Sequence, residues 1–123
     1  MDIKTLTANL SVTPQITASD MQAIKDAGFR AIICNRPDGE GADQPSFAEI
    51  EKAASKAGIE ATYQPIVSGK VSDEDAAAFE TATANLPGPV LAYCRTGTRS
   101  ATLWSLSQAK TRSVADILAA TKA

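Results

Sequence analysis

The segment Tyr93-Cys94-Arg95-Thr96-Gly97-Thr98-Arg99-Ser100 gathers residue types that nucleophilic chemistry uses. Cys94 ends a short apolar run, Val90-Leu91-Ala92-Tyr93, that reads as a buried strand. A small Thr- and Gly-rich loop follows, and Arg99 opens a helical pattern. Loop amides turned inward form an anion nest, and a helix N-terminus adds about half a positive charge. Both fields favour a thiolate; a cysteine at a helix N-terminus falls from about 8.5 to roughly 3.5–7.5 in pKa. Gly97 supplies a residue free to take positive φ without a Cβ clash. The expectation is that Cys94 is the nucleophile and Arg99 holds the anion. Arg95 attracts anions at the rim, and Thr96, Gly97, Thr98 and Ser100 supply amides and hydroxyls to the nest.

Composition sharpens this reading. The chain has 123 residues, two cysteines and no histidine. A Ser-His-Asp triad or a Cys-His dyad cannot be assembled within it, so any nucleophile must be activated without imidazole. Two cysteines without histidine do not suit a structural zinc site, and no metal or cofactor is implied. Twelve basic and fourteen acidic residues give a net charge of -2, with no basic excess to track a nucleic-acid backbone. No apolar run is long enough for a membrane span, and Met1-Asp2-Ile3-Lys4-Thr5 has no signal-peptide core. The expectation is a single cytoplasmic domain over residues 1–123 with reduced thiols.

The elements that would position the loop alternate along the chain. Leu6 to Val12 reads as a weak strand. Thr17, Ser19 and Asp20 start a helix through Ala27, closed by Gly28. Phe29 to Cys34 reads as a buried strand, and Asn35-Arg36-Pro37-Asp38-Gly39-Glu40-Gly41 as a loop. A second helix runs through Ile50, Ala53, Ala54 and Ala57 to Gly58. Ile59 to Ile66 is a strand interrupted by Pro65, and Ser72-Asp73-Glu74-Asp75 starts a helix that reaches about Asn85. Arg99 to Ala109 is helical in pattern, with Leu103, Trp104 and Leu106 on its buried face, and Ser113 to Leu118 begins a last helix. Such alternation predicts a three-layer α/β fold: a mainly parallel central sheet with flanking helices. Ligands then bind beyond the carboxyl ends of the strands, in the loops after Cys34, Ile66 and Tyr93.

Cys-Arg-Thr-Gly-Thr-Arg-Ser resembles the active-site loop of rhodanese-type sulfurtransferases, commonly Cys-Arg-x-Gly-x-Arg-Ser. It also resembles the Cys-x5-Arg phosphate loop of cysteine-based phosphatases. Nearly the whole chain resembles the phosphatase-like domain of the beta-lactamase-hydrolase-like family. That likeness rests on the Asn-Arg-Pro-Asp-Gly-Glu loop, the Tyr-x-Pro-Ile-Val strand and the Cys-Arg-Thr-Gly-Thr-Arg-Ser-Ala-Thr-Leu-Trp run. The resemblance implies a dual-specificity-phosphatase-like fold carrying a rhodanese-like loop. It also implies that such domains occur fused to a metallo-hydrolase-like partner.

Two features decide the expected chemistry. Four residues separate Cys94 from Arg99, one fewer than in the phosphatase loop, and Ser100 stands six after Cys94. A shorter loop is expected to re-aim the guanidinium fork and shrink the cradle. The aspartate that dual-specificity phosphatases carry after the Tyr-x-Pro-Ile-Val strand corresponds here to Ser68, while Asp73 and Asp75 read as a helix start. Both point to a sulfurtransferase that moves sulfane sulfur from thiosulfate or a persulfide, through a Cys94 persulfide, to cyanide, sulfite or a small thiol. A functional partner in sulfide oxidation would follow. A cysteine-dependent phosphatase using Cys94 and Arg99 is the alternative, and a non-catalytic anion- or partner-binding module the third. Arg36 is expected to hold the anionic end of the substrate and Asp38 to serve as a substitute acid, the alternative being that both simply belong to a turn. Cys34 is expected to pack in the core.

Overall fold

The computed structural model describes residues 2–108. Ten elements alternate along them. Strand β1 (Lys4–Thr7) and β2 (Leu10–Thr13) come first. A 3-10 turn at Ala18–Asp20 leads into α1 (Met21–Asp26), followed by β3 (Ala31–Cys34) and α2 (Phe47–Ala57). Then come β4 (Glu60–Tyr63), α3 (Asp73–Asn85), β5 (Val90–Tyr93) and α4 (Thr98–Gln108). The five strands form one sheet in the order β1-β2-β5-β3-β4, parallel throughout except for the β1–β2 pair. The expected helix beginning at Ser113 lies outside the described residues, as does Ala109.

Period-two alternation splits the sheet between two apolar layers. Ala31, Ile33, Val90 and Ala92 face Phe79 of α3 and Leu103 and Trp104 of α4. Ile32, Cys34, Leu91 and Tyr93 face Met21 and Ile24 of α1 and Ile50 and Ala54 of α2. The result is the expected three-layer α/β architecture. Central strands buried on both faces read as continuous apolar runs, which is why β3 and β5 are so plain in the sequence. Helix ends follow local chemistry. Ser46 Oγ accepts the Glu49 N–H at the start of α2, and Gly58 closes it in the left-handed region at φ 77°. Ser72 and Asp75 cap α3 reciprocally.

Three expectations change. Leu6 to Val12 is a hairpin of two strands. Thr7 Oγ1 accepts the N–H groups of Asn9 and Leu10 and turns the chain between them. The strand from Ile59 stops at Tyr63: Gln64 N–H still bonds Cys34 O as the ladder requires, but the next bond, Ile66 N–H to Asn35 O, slips one residue out of register. Pro65 between them has no N–H to give. Leu106 is 37% exposed and so leaves the buried face of α4 to Leu103 and Trp104.

Candidate active site

Parallel pairing puts Cys34, Tyr63 and Tyr93 in one register row, so the loops after β3, β4 and β5 open at the same sheet edge. Cys94 directly follows β5 and is fully buried. Its Sγ accepts the Gly97 N–H at 3.0 Å, which closes the loop around the sulfur. Gly97 has φ 89°, and a Cβ there would stand 3.4 Å from the Thr13 carbonyl carbon. Glycine therefore serves both the positive φ and the close approach to β2. The Gln15 N–H donates to Arg95 O at 3.2 Å and fastens the loop from the same side. Arg95, Thr96 and Thr98 are exposed at the rim. Thr96 Oγ1 donates to Thr98 Oγ1 at 3.1 Å. The first N–H groups of α4 have no carbonyl partner within the helix, and their dipole end lies at this loop.

Arg99 is the best-anchored cation of the site. It is 9% exposed. Nη1 donates to Glu40 Oε2 at 2.7 Å and to Ile66 O at 2.8 Å, and Nη2 donates to Glu40 Oε1 at 2.7 Å. Glu40 thus grips the end of the guanidinium in a bidentate pair. The hydrogen bonds that Arg99 donates to Glu40, and the Glu40 charge, hold the Arg99 pKa above the ordinary arginine value, and the Cys94 sulfur acts in the same direction. Arg99 in turn holds the Glu40 carboxyl below the usual carboxylate range, with Arg36 adding to it.

Arg36 is buried but largely committed. Nε donates to Glu40 Oε1 at 3.2 Å and Nη1 to Gln15 Oε1 at 3.1 Å. A Cβ on Gly41 would meet its Nη2 at 2.9 Å. Its placement makes it a support for Glu40. Asp38 is exposed; its Oδ1 accepts the Phe47 N–H at 2.8 Å and its own N–H donates to Tyr63 Oη at 2.9 Å. Its carboxylate therefore braces the start of α2. Ser100 does not face the nest: it is fully buried, and its Oγ donates to Asn35 Oδ1 at 2.8 Å.

Two residues of the site were not singled out from the sequence. Glu40 lies in a Gly-rich loop, 59 positions from Arg99. A cation cluster of Arg36, Arg95 and Arg99 without an assigned counter-ion was the available signal. Asn35 is fully buried and joins three loops. It accepts from Ser100, donates Nδ2–H to Gln64 O at 3.0 Å, and receives the Ile66 amide on its carbonyl. Cys34 packs in the α1/α2 layer, donates to Arg36 O at 3.2 Å, and has its thiol pKa raised by burial. Among the described residues no group of three or more Cys, Asp or Glu side chains is placed to hold a metal ion. No helix among them is long and apolar enough to cross a membrane. A groove of about 1060 Å³ runs past Thr96–Thr98 along α4 and the β1 edge, but neither Cys94 nor Arg99 lines it. It adjoins the loop without being its reaction chamber.

Residues 2–111 match the phosphatase-like domain of beta-lactamase hydrolase-like proteins. The beta-lactamase hydrolase-like protein of Agrobacterium fabrum is 35% identical over 100 residues, covering 81% of this chain and 23% of that protein. The chain spans about a quarter of the length of the curated relatives it matches. Among solved structures, a candidate phosphatase from Neisseria meningitidis Z2491 is 36% identical with a TM-score of 0.91, covering 99% of this chain and 87% of that one. Tk-PTP in its active form shares the fold, with a TM-score of 0.72 at 20% identity over 98% of this chain and 82% of that one. The fold is therefore the α/β fold of cysteine phosphatases.

These likenesses overturn the expected rhodanese-like sulfurtransferase and its Cys94 persulfide, and favour the phosphatase-type, cysteine-dependent hydrolase. The physical reason lies in the guanidinium. Loop length alone does not set where Arg99 points, because Glu40 and Ile66 O, on two other loops, hold it. With a match over residues 2–111, the chain belongs to the family of phosphatase-like domains of beta-lactamase hydrolase-like proteins.

Proposed function

We propose that the protein is a cysteine-dependent phosphatase in which Cys94 accepts a phosphoryl group and Arg99 binds its oxygens. The observation that carries this reading is the donor count on Arg99. A guanidinium has five N–H donors. Three are taken, two by Glu40 and one by Ile66 O. The other two, on Nε and on Nη2, form one side fork, the geometry that suits two oxygens of a phosphoryl group, and a hydrogen bond also joins this guanidinium to the Cys94 side chain. The Cys94 sulfur interacts with the same guanidinium. Nucleophile and oxyanion clamp are thus neighbours, as a covalent mechanism needs.

In the first step the Cys94 thiolate attacks phosphorus. The S–P bond forms, the P–O bond to the leaving group breaks, and its electron pair departs on oxygen. In the second step water attacks the phosphocysteine. A new P–O bond forms, the S–P bond breaks, the thiolate returns and the water proton passes to solvent. The loop amides and Arg99 stabilise charge on the non-bridging oxygens in both steps. Arg95 at the rim draws anionic substrate by its exposed charge. Two free thiols suit a reducing cytoplasm.

The test is release of inorganic phosphate from an aryl phosphate by the wild type, Cys94→Ser and Arg99→Lys. The expected result is turnover that Cys94→Ser abolishes and Arg99→Lys lowers about 100-fold, since lysine cannot reproduce the fork. Turnover that survives Cys94→Ser would refute it.

A further inference from the structure

Among the described residues, Glu40, Asp38 and Asp75, carboxylates on the elements around the Cys94–Arg99 pair, each accept a hydrogen bond from another group. Glu40 is bonded through both oxygens to Arg99 and through one to Arg36, and these cations keep it ionised. Asp38 accepts the Phe47 N–H and sits at the α2 end of its loop. Asp75 accepts the Ser72 N–H in the cap of α3, and Asp73 begins the same helix. Tyr63 Oη accepts the Asp38 N–H, and its ring stacks on Phe47 with centroids 4.9 Å apart. The loop that delivers Ile66 O to Arg99 continues as Val67-Ser68-Gly69-Lys70, exposed and without an acid. The site offers cations and amides to the phosphoryl oxygens, and Glu40, the carboxylate beside Arg99, is spent on the two arginines rather than on the departing oxygen.

We propose that this site acts on phosphoryl groups whose leaving oxygen departs as a stable anion, namely aryl phosphates, acyl phosphates or phosphoanhydrides. Alkyl phosphates such as phosphoserine or phosphothreonine are outside its range. The proposal rests on the phosphatase reading and narrows its substrate class. In the first step the Cys94 S–P bond forms as the P–O bond breaks. The electron pair leaves on an oxygen that is already a weak base, and it needs no proton until it reaches solvent. General acid assistance contributes typically 10²–10⁴-fold. Its absence costs little for an acidic leaving group and most for an alkoxide.

The experiment measures kcat/KM, which reports the S–P step, for aryl phosphates whose phenols run from about pKa 4 to about 10. Phosphoserine, acetyl phosphate and inorganic pyrophosphate are run beside them. The expected result is a fall of roughly tenfold per unit of leaving-group pKa and no turnover of phosphoserine. The acyl and anhydride arms then show which source the site prefers. Ser68→Asp, which places an acid two residues beyond the Ile66 contact, is expected to flatten the series by speeding the poorest leaving groups at least ~10-fold while leaving the best unchanged. A flat series in the wild type, or phosphoserine cleaved as fast as the aryl esters, overturns the leaving-group limit and leaves the phosphatase standing. Failure to cleave any phosphate in the set would remove the phosphatase reading itself.

Discussion

Replacing Glu40 with glutamine separates the support of Arg99 from the chemistry. The wild-type carboxylate accepts three hydrogen bonds, two from Arg99 at 2.7 Å and one from Arg36 at 3.2 Å. Glutamine keeps one acceptor oxygen and turns an NH2 donor toward guanidinium donors, so at least one charge-assisted bond is lost. Such a bond is worth ~1.5–3 kcal/mol. The side chain is 26% exposed, so solvent screening trims the loss to about 1.5–2 kcal/mol. At about 1.4 kcal/mol per tenfold, kcat/KM is expected to fall roughly 10–30-fold. Most of that should fall on kcat if the freed guanidinium no longer holds the fork in the transition state. Steady-state kinetics on an aryl phosphate reads this, with inorganic phosphate as product inhibitor expected to weaken in parallel. Stability carries an independent signature. Because the folded-state pKa of Glu40 is lowered, its contribution is full above the unfolded carboxyl value of about 4.3 and is lost as pH falls through the lowered value. Glu40→Gln should remove that part of the acid limb in denaturation curves below about pH 4.3. If Glu40→Gln binds phosphate more tightly or turns over faster than wild type, Glu40 competes for the fork and the positioning argument is wrong.

Three further substitutions test the framework. Asn35→Ala leaves the buried Ser100 hydroxyl and the Gln64 carbonyl without their partner, and unfolding in denaturant should show a loss of about 2–3 kcal/mol; a loss under 0.5 would deny Asn35 its role at the loop junction. Gly97→Ala places a Cβ at positive φ and against the Thr13 backbone, so activity should fall at least ~10-fold alongside a stability loss of about 1–2 kcal/mol. Gly28→Ala shares the positive φ but meets nothing within 4 Å; it should lose comparable stability and keep its activity, and equal activity in both variants would show that the loop geometry does not matter.

The parts of the site that were plain in the sequence are those made by local chain. Val90 to Tyr93 is apolar because β5 is covered on both faces, and the glycine three residues after Cys94 marks the turn that its φ of 89° requires. That the loops after β3, β4 and β5 open at one sheet edge was legible because alternating strands and helices leave few other topologies. Side-chain partnerships across those loops leave no local pattern. Arg99 meets Glu40 across 59 positions, and Ser100 meets Asn35 across 65. Counting residues from Cys94 to Arg99 therefore misjudged the chemistry, since the guanidinium is held by residues outside the counted loop. Pro37-Asp38-Gly39 did read correctly as a turn, and Asp38 serves it by bracing α2. The β1–β2 hairpin was missed because its two-residue turn contains no glycine and is closed by the Thr7 hydroxyl.

The central claim is a phosphoryl group carried covalently on Cys94. Rapid acid quench of the protein mixed with an activated aryl phosphate, followed by intact mass and peptide mapping, tests it directly. The account predicts one added phosphoryl group located on Cys94, formed within the first turnover and absent in Cys94→Ser. Phosphate released by a fully active enzyme with no phosphocysteine at any quench time, or the group found on another residue, would contradict it.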